Sequence, residues 1–248
     1  MGPSLSLPGE ILRISRGHRL KKKILLSWSS GKDSAWSLHV LRQRHDLEVV
    51  GLLTTINTKF QRVAMHGTRH ELLQAQAKAA GLPLWEIPLP WPCSNEFYEE
   101  AMAAACASAV QKDISAIAFG DLFLEDVRRY REERLRGTGL DPLFPLWGSN
   151  TRELMREMLD CGLRARIVCL DPSKLSSEFI GRDLAFEMLQ QFPAKIDPCG
   201  ENGEFHTFAY AGPMFEQPIP IETREHVTRD GFLFADLVWK APVSGHAA

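Results

Sequence analysis

Three short stretches of this chain carry residue types able to do chemistry. The first is Ser27-Trp28-Ser29-Ser30-Gly31-Lys32-Asp33-Ser34, which follows the apolar run Ile24-Leu25-Leu26 and precedes Ala35-Trp36-Ser37-Leu38. An apolar run bounded by turn residues suits a short strand covered on both faces of a parallel sheet. The Ser-Ser-Gly bend then removes side-chain bulk where a helix begins. Unpaired backbone N–H groups and the positive end of the helix dipole should meet there at one exposed spot that favours a phosphate. Lys32 adds a positive charge, and Ser29, Ser30 and Ser34 add hydroxyl donors. The bland reading of the same residues is a polar strand-to-helix turn capped by serine.

The second stretch is Gly200-Glu201-Asn202-Gly203-Glu204-Phe205-His206-Thr207. Two carboxylates, one imidazole and one hydroxyl, hinged on glycines, can bind an amine or a carboxylate, or move protons near neutral pH. A polar β-turn with His206 exposed is the plain alternative. The third is Gly120-Asp121, with Arg128 and Glu132 after it. A carboxylate at the carboxyl end of a strand can reach a bound metal or nucleotide, and it can equally cap a helix. Arg128 and Glu132 are four apart, which by default is a surface ion pair worth a few tenths of a kcal/mol. His66-Gly67-Thr68 is placed to touch a nucleotide, although a helix-start role explains Thr68 as well.

The elements that must position these residues follow from periodicity. After the first strand and a helix to about His45, Leu47 to Ile56 reads as a second buried strand and Asn57 to Gly67 as a polar loop. A helix from Thr68 to Ala80 puts Leu72, Leu73, Ala77 and Ala80 on one face, and Gly81 closes it. Leu84 to Leu89 is a third strand, and Ser94 or Asn95 caps a helix to about Lys112. Ser115 to Phe119 is a fourth strand, a charged helix follows, and Leu143 to Trp147 is a fifth extended segment. Strands alternating with helices predict an α/β parallel sheet with helices on both faces. Ligands of such sheets sit beyond the carboxyl ends of the strands, which aligns Ser29–Ser34, Thr54, Thr55, Asn57 and Asp121 along one rim.

Beyond about Gly148 the rhythm changes. A helix from Thr151 to Cys161, a strand from Arg164 to Leu170 and a helix from Arg182 to Gln191 precede a Gly- and Pro-rich remainder. Phe205 to Ala209, Ile219 to Ile221 and Phe232 to Trp239 read as strands of a smaller mixed α+β C-terminal domain. The expected division is a loose lead-in over 1–20, a nucleotide domain over 21–148, a smaller domain over 149–240 and a tail over 241–248. Trp85, Trp91 and Trp147 read as packing.

The totals narrow the function. With 29 Lys plus Arg against 31 Asp plus Glu in 248 residues, no global field favours nucleic acid or an anionic membrane. No run approaches the roughly 20 apolar residues that a bilayer span needs. Five unpaired cysteines with no Cys-x-x-Cys pair suggest neither a disulfide framework nor a zinc site, and fit reduced thiols in a cytoplasmic protein.

The bend is not a Walker loop, which needs Gly where Leu26 stands and Ser or Thr where Asp33 stands. It resembles the PP-loop Ser-Gly-Gly-Lys-Asp-Ser of the N-type ATP pyrophosphatases, of the adenine nucleotide alpha hydrolase-like (HUP-type) superfamily, with Ser30 in place of the usual first Gly. Added to it are Thr54-Thr55-Ile56-Asn57, Gly120-Asp121 with Arg128 and Glu132, Pro145-Leu146-Trp147, and Cys199-Gly200-Glu201-Asn202-Gly203-Glu204. In that order they resemble the diphthine–ammonia ligase family over about Lys22 to Phe215. Where diphthamide enzymes usually read Gly-Glu-Tyr-Glu-Thr, this chain reads Gly203-Glu204-Phe205-His206-Thr207, which is similar to a bacterial-type branch.

The resemblance implies a Rossmann-like ATP-binding domain plus a smaller C-terminal domain, ATP and Mg²⁺ as cofactors, and ATP-dependent amidation of a carboxylate by ammonia, with AMP and pyrophosphate released. Under it, Ser29, Ser30, Gly31, Lys32, Asp33, Ser34, Thr54, Thr55 and Asn57 would bind ATP, and Lys32 would stabilise the leaving pyrophosphate. Asp33 would hold Mg²⁺, with Asp121 as a second candidate ligand. Arg128, Glu132, Glu201, Glu204, His206 and Thr207 would meet the acceptor, with Lys32, Asp121, Glu204 and His206 taking part in catalysis. The acceptor is a carboxylate on a small molecule or a protein side chain; a homo-oligomer is compatible with this class. A tRNA-thiolating PP-loop enzyme and a non-catalytic ATP sensor are the alternatives.

Overall fold

The computed structural model describes residues 21–63 and 67–240; the lead-in, His66 and the tail lie outside the described residues. The first half is built from β1 (Lys22–Ser27), α1 (Lys32–Arg42), β2 (Leu47–Asn57), β3 (Arg62–Val63), α2 (His70–Ala80), β4 (Leu84–Leu89), α3 (Asn95–Gln111), β5 (Ile114–Ala118), α4 (Glu125–Leu135) and β6 (Asp141–Leu143). Five of its strands run parallel in the spatial order β4-β2-β1-β5-β6, and β3 adds a short antiparallel pairing at the end of β2. Strand order therefore reverses at β1. That is where an open α/β sheet leaves a crevice outside the carboxyl ends of its strands, and the bend after β1 lies at that point.

The two faces of this sheet bury different partners. Leu25, Leu53, Ile87, Ile114 and Ile117 pack with Cys106 and Ala109 of α3 and Leu135 of α4. On the other face Ile24, Leu26 and Leu52 join Leu38 of α1, Leu72, Leu73 and Ala77 of α2, and a large share of the second half. Helices cover both faces, as the alternation of strand and helix predicts.

The second half contains α5 (Thr151–Asp160), β7 (Arg164–Leu170), α6 (Phe186–Leu189), β8 (Phe205–Ala211), β9 (Ile221–Arg229) and β10 (Phe232–Trp239). Its four strands form an antiparallel sheet in the order β8-β7-β10-β9. Phe208, Ala209, Ile167 and Leu170 turn into the same core as α1 and α2.

Several elements differ from expectation for identifiable reasons. The helix expected over Arg182–Gln191 shrinks to the single turn of α6. The backbone before it runs along β7 instead: Ile167 N donates to Arg182 O and Leu184 N to Ala165 O. The fifth strand ends at Leu143 rather than Trp147, because Pro145 has no N–H to continue the ladder. β9 is nine residues long where a three-residue strand was expected; its sequence IETREHVTR is polar on both faces, as suits a sheet edge. Thr68 does not start α2, which begins at His70. Trp91 is not packing: it is 56% exposed, with its ring edge against Phe60 at 5.8 Å between centroids.

Candidate functional site

The bend is not the exposed spot that its composition suggests. Ser30, Gly31, Lys32 and Ser34 are buried, and Ser29 and Asp33 are half-buried. Ser30, fully buried, takes the left-handed conformation (φ 70°), the region that favours the glycine usual at this position. Its surroundings hold it there. Ser30 Oγ shares a hydrogen bond with Thr68 Oγ1 at 2.8 Å, and Ser30 O accepts from Ala209 N at 3.0 Å. Gln76, fully buried on α2, donates from Nε2 to both Ser30 O (2.9 Å) and Ala209 O (2.6 Å), while its Oε1 accepts from Trp28 Nε1 (2.9 Å).

The amides expected to cradle a phosphate are engaged within the protein. Gly31 N donates to Ser29 Oγ at 3.3 Å, and Lys32 N donates to Thr207 Oγ1 at 3.1 Å. Ser34 Oγ donates to Gly31 O and lies 3.1 Å from Ser29 Oγ. Lys32 is 2% exposed; its Nζ donates to both Asp33 oxygens (2.9 and 2.7 Å) and to Cys199 O. Burial alone would lower the Lys32 pKa, but Asp33, Cys199 and Glu201 together outweigh it and the ammonium stands above its ordinary value. The motif's lysine thus ties α1 to the loop before β8. Gly120 completes the packing: a Cβ there would meet Asp33's carbonyl carbon at 3.1 Å, so any larger residue would push the end of β5 a few tenths of an ångström off the first turn of α1.

The Glu201–Thr207 loop closes over the bend from the other side. Glu201 Oε1 accepts from Leu122 N at 2.9 Å. Burial, with Asp33 and Asp121 nearby, pushes its carboxyl up to about 7, against the pull of the Leu122 N–H and Lys32. Glu204 is 2% exposed and holds its own loop, accepting from Asp197 N at 2.9 Å. His206 is pushed down to about 4 by burial and by Lys32, so its imidazole is neutral at neutral pH. Cys199 is likewise buried with its thiol pushed up, which leaves no reactive thiolate.

The open space lies beside the bend. A cavity of about 690 Å³ is bounded by Ser27, Ser29, Thr54 and Thr55 at the carboxyl ends of β1 and β2, and by Tyr98, Met102 and Cys106 of α3 with Arg131 and Leu135 of α4. Thr54, 4% exposed, is among these lining residues, and its buried hydroxyl has no hydrogen-bond partner. A cavity with mixed lining, apolar side chains interspersed with polar and charged ones, is a usual form of a small-molecule site.

The structure brings together Ser29, Thr54 and Thr55 at this cavity, and sets the Lys32–Asp33 pair, Glu201 and Thr207 against its bend. It does not bring in Asn57, whose Oδ1 caps the turn after β2 by accepting from Lys59 N and Phe60 N. Arg128 and Glu132 form the plain ion pair at 2.7 Å, with the Arg128 guanidinium stacked on Phe144 and Trp147. Asp121 caps nothing: α4 starts after Leu124 with no side-chain cap. Gln76, Tyr98 and Arg131 were not anticipated. A glutamine in the apolar stripe of α2 was the readable hint for the first, whereas Arg131 is one of several arginines in a charged helix.

Models of the diphthamide synthase N-terminal domain and of the diphthamide synthase C-terminal domain match residues 21–142 and 150–237. The diphthine–ammonia ligase of Rattus norvegicus is 23% identical over 233 residues, covering 85% of this chain and 87% of that protein. That of Bos taurus is 26% identical over 192 residues, covering 68% and 69%. The ligase of Schizosaccharomyces pombe is 24% identical over 224 residues, covering 83% of this chain but 37% of that longer protein. With both halves matched in order and their contact closing over the bend, the chain belongs to the diphthamide synthase family.

Proposed function

We propose that this chain is an ATP-dependent acid–ammonia ligase. It adenylates a carboxylate, splitting ATP into AMP and pyrophosphate, and transfers the acyl group to ammonia. The observation that carries this reading is the cavity at the strand-order reversal, where Ser29 of the bend, Thr54, Thr55 and Arg131 share the lining with apolar side chains such as Leu53, Ile87, Met102 and Leu135. A flat base and a ribose suit that lining, and the bend marks the phosphate end. The names of the rat and bovine relatives, diphthine–ammonia ligase, support the reaction type.

In this scheme a carboxylate oxygen of the acceptor attacks the α-phosphorus, the bond to the bridging oxygen breaks and pyrophosphate leaves. Ammonia then attacks the acyl carbon, AMP leaves and one proton is released. Glu201, with its raised pKa at neutral pH, is suited to take that proton. His206, held neutral and far below its ordinary value, and Glu204, occupied in its loop, are less suited. Thr207 occupies an amide that a phosphate oxygen would use, so a triphosphate seated on Lys32 N requires β8 to yield there.

Magnesium would supply charge neutralisation on the phosphates. Asp33, the residue expected to hold it, has both oxygens on Lys32, and no group of three metal-ligating side chains occurs among the described residues. As placed, Asp33 does not fit a magnesium ligand. His206, standing where diphthamide enzymes usually carry Glu, supports a bacterial-type branch with an acceptor other than diphthine.

The test is product analysis with α-labelled ATP, ammonium and a panel of carboxylates. AMP with stoichiometric pyrophosphate is the expected result. Release of ADP overturns the scheme, and nucleotide binding without any turnover would make the chain a sensor.

A further inference from the structure

Lys32, the cation that the motif provides, is wholly engaged by Asp33 and Cys199 O and does not line the cavity. The cavity has another. Arg131, on α4, lines it together with Ser29 and Tyr98. Its guanidinium lies over the Phe119 ring, 5.0 Å from the centroid, which fixes its plane. Its Nε is buried with no hydrogen-bond partner, and Asp121 Oδ2, 3.7 Å away, is buried without one as well. Native proteins leave few buried polar atoms unsatisfied; the protein therefore matches this guanidinium incompletely, and with the side chain 31% exposed it is the part beyond the buried Nε that a ligand in the cavity can reach.

The position selects the ligand. Asp121 follows Gly120, and Gly120 packs directly on the backbone of Asp33 in the first turn of α1. Arg131 therefore stands beside the same bend to which Ser29 belongs, at the end of the cavity where the phosphates of a bound nucleotide would lie. Asp121 at 3.7 Å is close enough to orient the guanidinium but too far to satisfy it. A guanidinium presents paired donors that match phosphate oxygens, and it keeps its charge at any physiological pH.

We propose that Arg131 is the phosphate-binding residue of this cavity, taking an oxyanion of the nucleotide's phosphate chain while Lys32 serves to hold the bend. The inference rests on the nucleotide reading above. It assigns a distinct role to each cation: Lys32 joins the two halves of the chain, and Arg131 meets the ligand.

The experiment displaces a fluorescent ATP analogue with ATP, AMP or adenosine from wild type, Arg131→Gln and Arg131→Lys, with thermal midpoints recorded alongside. Arg131→Gln should weaken ATP and AMP at least tenfold and adenosine less than twofold, and Arg131→Lys should recover part of the loss. Equal losses for all three ligands would make Arg131 a residue that only shapes the cavity, and unchanged affinities would remove it from binding; either result overturns the proposal. If wild type fails to bind the ATP analogue at all, the nucleotide reading itself falls, an outcome distinct from wild-type binding with an indifferent variant.

Discussion

The bend after β1 and the cavity next to it contain similar residue types in opposite states. In the bend nearly every polar group is satisfied by protein: Gln76 holds Ser30, Thr207 takes the Lys32 amide, and Asp33 with Cys199 O takes the ammonium. In the cavity and on its border, Thr54 Oγ1, Arg131 Nε and Asp121 Oδ2 are buried without partners. A polar group matched by protein contributes to stability, whereas one left unmatched costs free energy until something arrives to match it. On the nucleotide reading, the difference separates residues that build the bend from those proposed to meet a ligand; Trp36 Nε1, Ser37 Oγ and Glu204 Oε2, also buried without partners, belong to neither group.

The largest expected effect comes from Lys32→Ala. It leaves Asp33 without its cation beneath β8, so stability should fall by about 3 kcal/mol in urea unfolding, and turnover by roughly 10²-fold or more as the bend loosens. Arg131→Gln, by contrast, should cost little stability. A Lys32→Ala protein of wild-type stability would move Lys32 from the structural side of the comparison to the ligand side.

A second effect is read through pH. Folded, Glu201 keeps its proton up to about 7, while the unfolded chain releases it near 4.5, so folding takes up a proton between these values and stability falls as pH rises. His206 does the reverse: the folded value is about 4 against 6.5 unfolded, so stability rises with pH across that range. The two slopes oppose each other between 4.5 and 6.5. Glu201→Gln should therefore make stability rise more steeply over that window and abolish the decline towards 7. Unfolding midpoints at stepped pH that coincide for wild type and variant would show that Glu201 titrates like a solvated carboxylate.

The smallest effect is Ser30→Gly. Glycine relieves a left-handed backbone worth about 1 kcal/mol but loses the bond to Thr68, worth a similar amount. Stability should change by less than about 0.5 kcal/mol. A gain of 2 kcal/mol or more in denaturant titration would mean that the Thr68 contact contributes nothing and that the bend is poorly held.

Much of the fold is legible residue by residue. The β1 run, the α2 stripe closed by Gly81, and the Ser94 cap that accepts from Phe97 N all appear where local pattern places them. What local pattern misses are segments whose backbone partners lie far away, such as 181–184 along β7 and the polar edge strand β9. In the site, the bend and the Glu201–Thr207 loop stand out as unusual clusters. Their mutual contact does not, because Lys32 and Thr207 are 175 residues apart.

By itself the sequence determined the parallel α/β half, the strand-to-helix bend and its small residues, since short-range periodicity and turn chemistry are properties of neighbouring residues. Only the tertiary structure decided which polar groups are spent and which remain open. Satisfaction of a buried donor depends on what the other half of the chain brings within about 3 Å, and no spacing along the chain encodes that.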